Sequence, residues 1–358
     1  MREYNVASIP GDGIGKEVIP AGLAVLKALE SRCGDFKLNV EQFPWGSDYY
    51  RGTGRMLPAD ALNTLKDFDA IYFGAVGDPD IPDHITLWGL RLFICQGFDQ
   101  YANVRPTRIL PGITSPLRNV NSGDLDWVIV RENSEGEYAG HGGRSHKGLA
   151  EEVATETAIF TRAGVARIMH FAYKLAQWRP RKLLTIVTKS NAQRNGMVLW
   201  DEIAAEVGRD YPDVSTDKML VDAVTTRMVG KPQTLDVIVA TNLHADILSD
   251  LAAALAGSLG IAPTANLNPE RSFPSMFEPI HGSAFDITGK GVANPIGSFW
   301  TAVLMLEHLQ EREAADRLMR AIERVTRSRS VLPRDLGGNA TTVQVTDAVS
   351  DALHGPNS

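Results

Sequence analysis

Short apolar runs recur along this chain, and most are followed by a helical pattern. They are YNVASIP, FDAIYFGAVG, LDWVIVREN, KLLTIVTKSN and LDVIVATNLHAD, the first leading into GKEVIPAGLAVLKALES. Strand and helix in alternation point to an α/β architecture in which helices cover a sheet. Within the runs, LLTIV and DVIVA are almost continuously apolar, the pattern of strands covered on both faces. Chemistry in such folds gathers where the strands end. A chain of 358 residues accommodates one large domain or two of ordinary size.

Bulk properties narrow the function. Hydrophobic residues make up 44% and charged residues 22%, as in soluble globular proteins. A formal net charge of -7 argues against a nucleic-acid binder. Cys33 and Cys95 offer neither a disulfide framework nor metal-ligand spacing. The apolar residues begin at once in a strand-like run, Tyr4–Pro10, with no leader pattern ahead of it. The most apolar stretch, LAAALAGSLGIAP from Leu251, falls short of the roughly 20 residues that span a bilayer. The expectation is a soluble cytoplasmic protein that binds neither membrane nor nucleic acid.

The glycine-rich GDGIGKE at Gly11–Glu17 fits no standard nucleotide loop. The dinucleotide fingerprint requires G-x-G-x-x-G, and the phosphate loop requires Ser or Thr after Gly-Lys, where this chain has Glu17. By spacing alone it reads as a tight turn without a ligand. Two regions break the strand–helix rhythm. Tyr138–Glu152, rich in Gly and His, is expected to form a partner-contacting arm or a flexible loop. Asn266–Gly297, dense in Pro and Gly, reads as a loop region, structured or not.

Several strand ends carry candidate chemistry. In TNLHADILSDLAAALAGSLG, Asp246 and Asp250 are four residues apart and share one helix face. A solvated acidic face is the bland alternative. The near-continuous apolar character of the segment instead suggests burial, where two carboxylates need a cation such as Mg²⁺ or Mn²⁺. Asp222 in MLVDAVT is a third candidate ligand. Arg105 in QYANVRPTR and Arg131 in WVIVRENSEGEY are surface charges taken singly, but together they suit a substrate with more than one carboxylate. Lys189 in IVTKSNAQRNG is either a solvated strand tip or, near a metal, a general base. Asn294-Pro295 reads as a helix start, with Asn as cap and Pro in the first helical position. Asp286, in the loop before it, suits ribose hydroxyls and repels a 2′-phosphate.

Taken together, PGDGIGKE, ANVRP, RENSEGEY, TKSN, LVDA, HADILSD, EPIHGSAFDITGKGVANP and LGGNATTVQVTDAV resemble, in order and nearly end to end, the β-decarboxylating dehydrogenases of 2-hydroxy acids, which include isopropylmalate and isocitrate dehydrogenases. The segment TLWGLRLFICQGFDQYANVRPTRIL is most similar to the branch acting on tartrate and D-malate. The resemblance implies the isopropylmalate dehydrogenase-like fold, with two intertwined α/β domains and no standard Rossmann fold. Residues 1–103 plus 256–358 would bind cofactor, and 104–255 would carry substrate, metal and dimer contacts, with an intersubunit arm near 138–165. It implies NAD bound beside Ile14 and by Glu278, His281, Gly282, Ser283, Asp286 and Asn294. Mg²⁺ or Mn²⁺ would be held by Asp246 and Asp250 with Asp222 of the second protomer. Lys189, also of the second protomer, would be the base and Tyr138 would protonate the enol. Arg105 and Arg131 would grip the carboxylate that is lost. A homodimer with shared active sites follows, and a monovalent cation such as K⁺ is left open.

Two departures stand out. Many relatives have an arginine ten residues before the one in the RP pair, and here that position is Cys95, with Arg91 one helical turn earlier. Arg91 either reaches the substrate in its place or points elsewhere. Phe285 stands where relatives commonly have Pro. Trp88 lies where the family discriminates the distal group of the substrate, and its bulk disfavours an isopropyl chain; core packing is the alternative. The competing functions are isopropylmalate dehydrogenase and a non-catalytic regulatory subunit, the latter predicting loss of metal acids, lysine or tyrosine, all of which are present. A phosphotransferase resting on Gly15-Lys16 lacks the required hydroxyl residue.

Overall fold

In the computed structural model, which describes residues Met1–His354, β1 (Arg2–Gly11) runs into the glycine turn and α1 (Gly15–Cys33) leaves it. β2 (Phe36–Gln42), α2 (Ser47–Thr53), α3 (Ala61–Leu65), β3 (Ala70–Ala75), α4 (Asp83–Gly89) and α5 (Arg91–Gly97) follow. Next come β4 (Ala102–Arg108), β5 (Asp126–Glu132), β6 (Gly136–Ser145), β7 (Val153–Ile159) and α6 (Arg162–Trp178). β8 (Leu183–Thr188), α7 (Gly196–Val207), β9 (Ser215–Leu220), α8 (Val221–Gly230), β10 (Val237–Ala240) and α9 (Asn242–Ala256) continue the alternation. β11 (Pro263–Leu267), β12 (Ser275–Pro279), α10 (Ile296–His308), α11 (Arg312–Ser328) and α12 (Thr342–Ala352) complete it.

The chain divides into two compact units, each assembled from non-contiguous segments. The first comprises Met1–Gln100, Arg108–Ser122 and the chain from Ala253 onward. Residues 108–122 thus pack with the terminal segments, outside the 104–255 block expected from the sequence. Its strands lie in the order β2-β1-β3-β12-β11. β1 is parallel to both β2 and β3, with Val6 opposite Val40 and Ala70, while β11 is antiparallel to β12. This order, ending in an antiparallel strand, differs from the dinucleotide-binding sheet. Every residue of β3 is buried, as is β1 from Val6 onward, because helices cover them. Ile9, Ile71, Phe73, Ile94, Phe98 and Met276 share one apolar cluster, and Cys95 lies within it.

The second unit, Tyr101–Thr107 with Gly123–Ala252, orders its strands β4-β5-β10-β8-β9. β10 is parallel to β5 and β8, so Ile238 faces Ile129 and Thr185. Trp127, Ile129, Trp200 and Ile238 are fully buried there. β6 and β7 form an antiparallel ribbon with Ser145 opposite Val153, and almost all of it is exposed. The segment Tyr138–Glu152 is therefore neither loose nor part of a core. Among the described residues, no helix is long and apolar enough to cross a membrane.

Local chemistry explains the element ends. Gly34 takes a left-handed φ of 77° and its N–H bonds back to Glu30, closing α1. Thr161 caps α6 by accepting from Gly164 N, and Thr341 with Gln344 forms a capping box on α12. α10 starts at Ile296, one residue later than Asn294-Pro295 suggested. Pro295 is already in the helical region, and Asn294 Oδ1 accepts from Ile296 N at 2.9 Å. Pro295, not Asn294, therefore holds the cap position, and Asn294 acts one residue earlier, supplying an acceptor to the first helical N–H. The Asn266–Gly297 region is ordered, with the buried strand β12 running through it.

The glycine turn is fixed by close approach. Gly13 has φ 51°, and a Cβ there would lie 2.0 Å from the carbonyl oxygen of Ser283. Gly34 also has positive φ but nothing within 4 Å of such a Cβ. Gly34→Ala should therefore cost only the left-handed conformation, about 1–2 kcal/mol. Gly13→Ala should cost more, because backbone must move as well. Urea unfolding of both variants measures the difference as a shift of midpoint at unchanged slope.

Candidate active site

In the first unit the glycine turn is a post for the late loop. Ile14 N donates to Ser283 O at 2.8 Å, and Glu17 Oε1 accepts from Gly289 N at 2.5 Å. Ile14, His281, Ala284, Ile287, Asn294 and Asp335 help to line a cleft of about 360 Å³. Its apolar members offer flat surface to a planar ring. His281 Nδ1 lies 3.0 Å from Gly282 O, while its buried Nε2 has no partner. Burial lowers the His281 pKa, favouring the neutral ring. A cofactor with a planar base and polar groups fits this cleft. Ser283 is half-buried, whereas Gly282 and Asp286 are exposed. Asp335, which sequence reasoning missed, accepts from Asn294 Nδ2 at 2.8 Å and from Ser258 Oγ at 2.5 Å.

Glu278, near the end of β12, is deeply buried and does not stand alone. Arg91, at the start of α5, approaches its Oε1 at 2.8 Å through Nε and 2.7 Å through a terminal nitrogen. Asn266 completes the set, accepting from Arg91 at 3.2 Å and donating to Glu278 at 2.8 Å. Cys95, one turn further along α5, packs into the apolar cluster instead. Trp88 is half-buried on α4.

In the second unit the arginines and acids converge. Arg131, the last residue but one of β5, bonds Asn242 Oδ1 through two nitrogens at 3.0 and 2.7 Å, and pairs with Asp246. Arg105 on β4 bonds Asn103 Oδ1 at 2.8 Å and Ser249 Oγ at 2.5 Å, and lies 3.4 Å from Asp246. Tyr138 OH is 3.4 Å from the other oxygen of Asp246, with the Arg131 guanidinium 5.3 Å from its ring centre. A guanidinium stays charged, so these two buried arginines require an anion, and Asp246 supplies it. Asn242 and Ser249 had no assigned role, although both stand in the quoted TNLHADILSD. Glu132 fixes the loop leading to Tyr138 by accepting from Ser134 N, Ser134 Oγ and Glu135 N. Burial pushes its pKa up to about 7 against those bonds.

Partial loss of water raises the Asp250 carboxyl, opposed by Arg105 and reinforced by Asp246. An acid whose ionisation its neighbouring acid hinders suits a divalent cation, which the two would share. Asp222 lies on α8, where its Oδ1 accepts from Lys189 Nζ at 2.8 Å; that bond lowers the Asp222 pKa. Among the described residues no trio of His, Cys, Asp or Glu is placed to hold a metal, so one chain does not gather its three aspartates. The burial expected for α9 holds for only part of it. Leu248, Ser249 and Ala252 are buried, but Ile247 is 57% exposed and Leu243 36%.

Comparison with known proteins agrees with this arrangement of motifs. The sequence model of the isocitrate/isopropylmalate dehydrogenase family matches residues 5–351. A probable tartrate dehydrogenase/decarboxylase of Agrobacterium vitis is 74% identical over 100% of this chain and 99% of its own. The decarboxylating D-malate dehydrogenase of Escherichia coli is 50% identical, and the tartrate dehydrogenase/decarboxylase of Pseudomonas putida 49%, each over 98% of both chains. The crystal structure of isocitrate dehydrogenase from Methylococcus capsulatus superposes with a TM-score of 0.88 at 33% identity, covering 98% of this chain and 100% of that one. The chain belongs to the isocitrate/isopropylmalate dehydrogenase family.

Proposed function

We propose that this protein oxidises tartrate or D-malate with NAD and a divalent metal, and releases CO₂ from the resulting 2-oxo acid. The observation carrying the reading is the cluster on Asp246, where two buried arginines and a tyrosine hydroxyl meet one carboxylate. Small dicarboxylates are what such paired guanidiniums bind, and relatives up to 74% identical bear the names of tartrate and D-malate enzymes. Asp246 holds the arginines in place, desolvated and oriented, until a substrate carboxylate takes up their donors.

When bound, the cation at Asp246, Asp250 and a second protomer's Asp222 supplies Lewis acidity, and NAD supplies the hydride acceptor. Lys189 of that second protomer takes the hydroxyl proton as the C2 hydrogen leaves with its electron pair. Arg105 and Arg131 orient the β-carboxylate so that its bond to carbon breaks with the electrons passing into the enolate. Tyr138 then protonates the enolate carbon. Pairing with Asp222 keeps Lys189 beside the acid with which it would be delivered. Trp88 restricts the distal pocket to small groups, which favours these substrates over isopropylmalate. Ile14, Glu278, His281, Gly282, Ser283, Asp286 and Asn294 form the NAD subsite, where the Asp286 carboxylate disfavours a 2′-phosphate. A homodimer follows from this division of labour, and the exposed Leu243 and Ile247 beside Asp246 supply apolar surface for it.

NADH formation with Mn²⁺ tests the reading directly. D-malate or a tartrate should turn over, isopropylmalate poorly, and a chelator should abolish the reaction; preference for isopropylmalate would assign the chain to that activity instead. Arg131→Lys, which loses the two-nitrogen grip on Asn242, should lower kcat/KM by about 10²–10³. Shared sites have a sharper signature. Lys189→Met and Asp246→Asn homodimers should each be inactive, yet subunit exchange in an equal mixture should restore about a quarter of wild-type activity, one good site in half of the dimers. No restoration would place Lys189 and Asp246 in the same protomer's site.

A further inference from the structure

The buried pair between Arg91 and Glu278 has a one-sided geometry. Both side chains are nearly inaccessible, at 10% and 7% exposure. Two hydrogen bonds converge on Oε1 of Glu278, from Nε of Arg91 and Nδ2 of Asn266, and a terminal nitrogen of Arg91 lies 2.7 Å from the same oxygen as its ion-pair partner. Oε2 takes no hydrogen bond from the described residues, and it is not among the sealed polar atoms that lack a partner. One oxygen is therefore fully occupied by protein, and the other keeps an open face from which to accept. Glu278 stands three residues before His281, a residue lining the cleft. Arg91 stands three residues after Trp88, and the residue one turn beyond it, Cys95, belongs to the apolar core.

We propose that Arg91 is a positioning residue for the cofactor rather than a clamp on the substrate: by saturating Oε1 of Glu278 it aims Oε2 at a hydroxyl or amide donor of the nicotinamide nucleoside. This rests on the NAD reading above. The physical case is that a carboxylate with both oxygens free rotates about its last bond and divides its acceptor strength between several geometries. Two arginine nitrogens and the Asn266 amide gathered on one oxygen, which lies off the axis of that bond, hold the carboxylate plane in one orientation. The ion pair also offsets the charge that burial would otherwise penalise. Lysine, a single point donor, fixes no such plane. A guanidinium committed in this way has two nitrogens fewer to offer a substrate carboxylate.

NADH binding, followed by fluorescence in the full-length protein without substrate, tests the assignment. Arg91→Met and Glu278→Gln should each weaken binding by about tenfold to a hundredfold. The double variant should lose no more than the worse single one, since both remove one unit. In turnover, the KM for NAD should rise while the KM for D-malate or tartrate at saturating NAD stays within about twofold. Should Arg91→Met fail to fold by thermal melt, Arg91→Gln, which keeps a neutral donor amide near Oε1, is read in the same way. A variant that binds NADH like wild type but shows a raised substrate KM overturns the proposal and makes Arg91 a clamp. Additive losses in the double variant overturn it too, because they show that Arg91 and Glu278 act independently. Wild-type protein that binds no NADH overturns the cofactor reading, and the proposal with it.

Discussion

Arginine cannot shed its charge inside a protein, and this single constraint organises a cluster in each unit. Arg91, Arg105 and Arg131 are all buried, so each must be given a carboxylate or pay a desolvation cost of several kcal/mol. The fold meets that demand in two ways. Arg105 and Arg131 share Asp246, an acid that is 37% exposed and so open to exchange. Arg91 has Glu278, which is as enclosed as the arginine itself. The first pairing suits a place that an incoming anion can enter, the second a fixture. Neighbouring amides sharpen both, since Asn242, Asn103 and Asn266 accept guanidinium bonds that the carboxylates leave unmade.

Much of the architecture was legible because it is written in local pattern. The continuous apolar runs became parallel buried strands, and β10 lies within the run DVIVA. The acceptor that Asn294 supplies to the first helical N–H is likewise a property of a few adjacent residues. Pairings across long stretches of chain were not legible. Nothing local couples Arg91 to Glu278, 187 positions away, and periodicity alone left open whether Arg91 pointed in or out. α9 shows the opposite limit. Its composition read as burial on all sides, yet composition cannot say which covering partner is present, and one stripe through Ile247 faces outward.

The three aspartates follow the same logic. Asp246 and Asp250 were recognisable as a pair because helical spacing puts them on one face. Asp222 was a candidate third acid, but its place on a second protomer came only from resemblance; its neighbour in the fold is Lys189 and not the other acids. Glu17, which excluded a phosphate loop on chemical grounds, has a positive role visible only in the folded chain, where it receives the amide of Gly289. A residue that disqualifies one motif thus supports another structure altogether.

That contact, together with Gly13 against Ser283, ties the first twenty residues to a loop more than 260 positions later. Synthesis on the ribosome is vectorial, and the entropy of closing so long a loop is met late. Most of the second unit, Gly123–Ala252, is one continuous stretch and can fold as it emerges. The first unit cannot. Its β3 must wait for β12, with one strand edge unpaired until then. The cleft at Ile14, which Asp335 also lines, is consequently complete only once nearly the whole chain has been made.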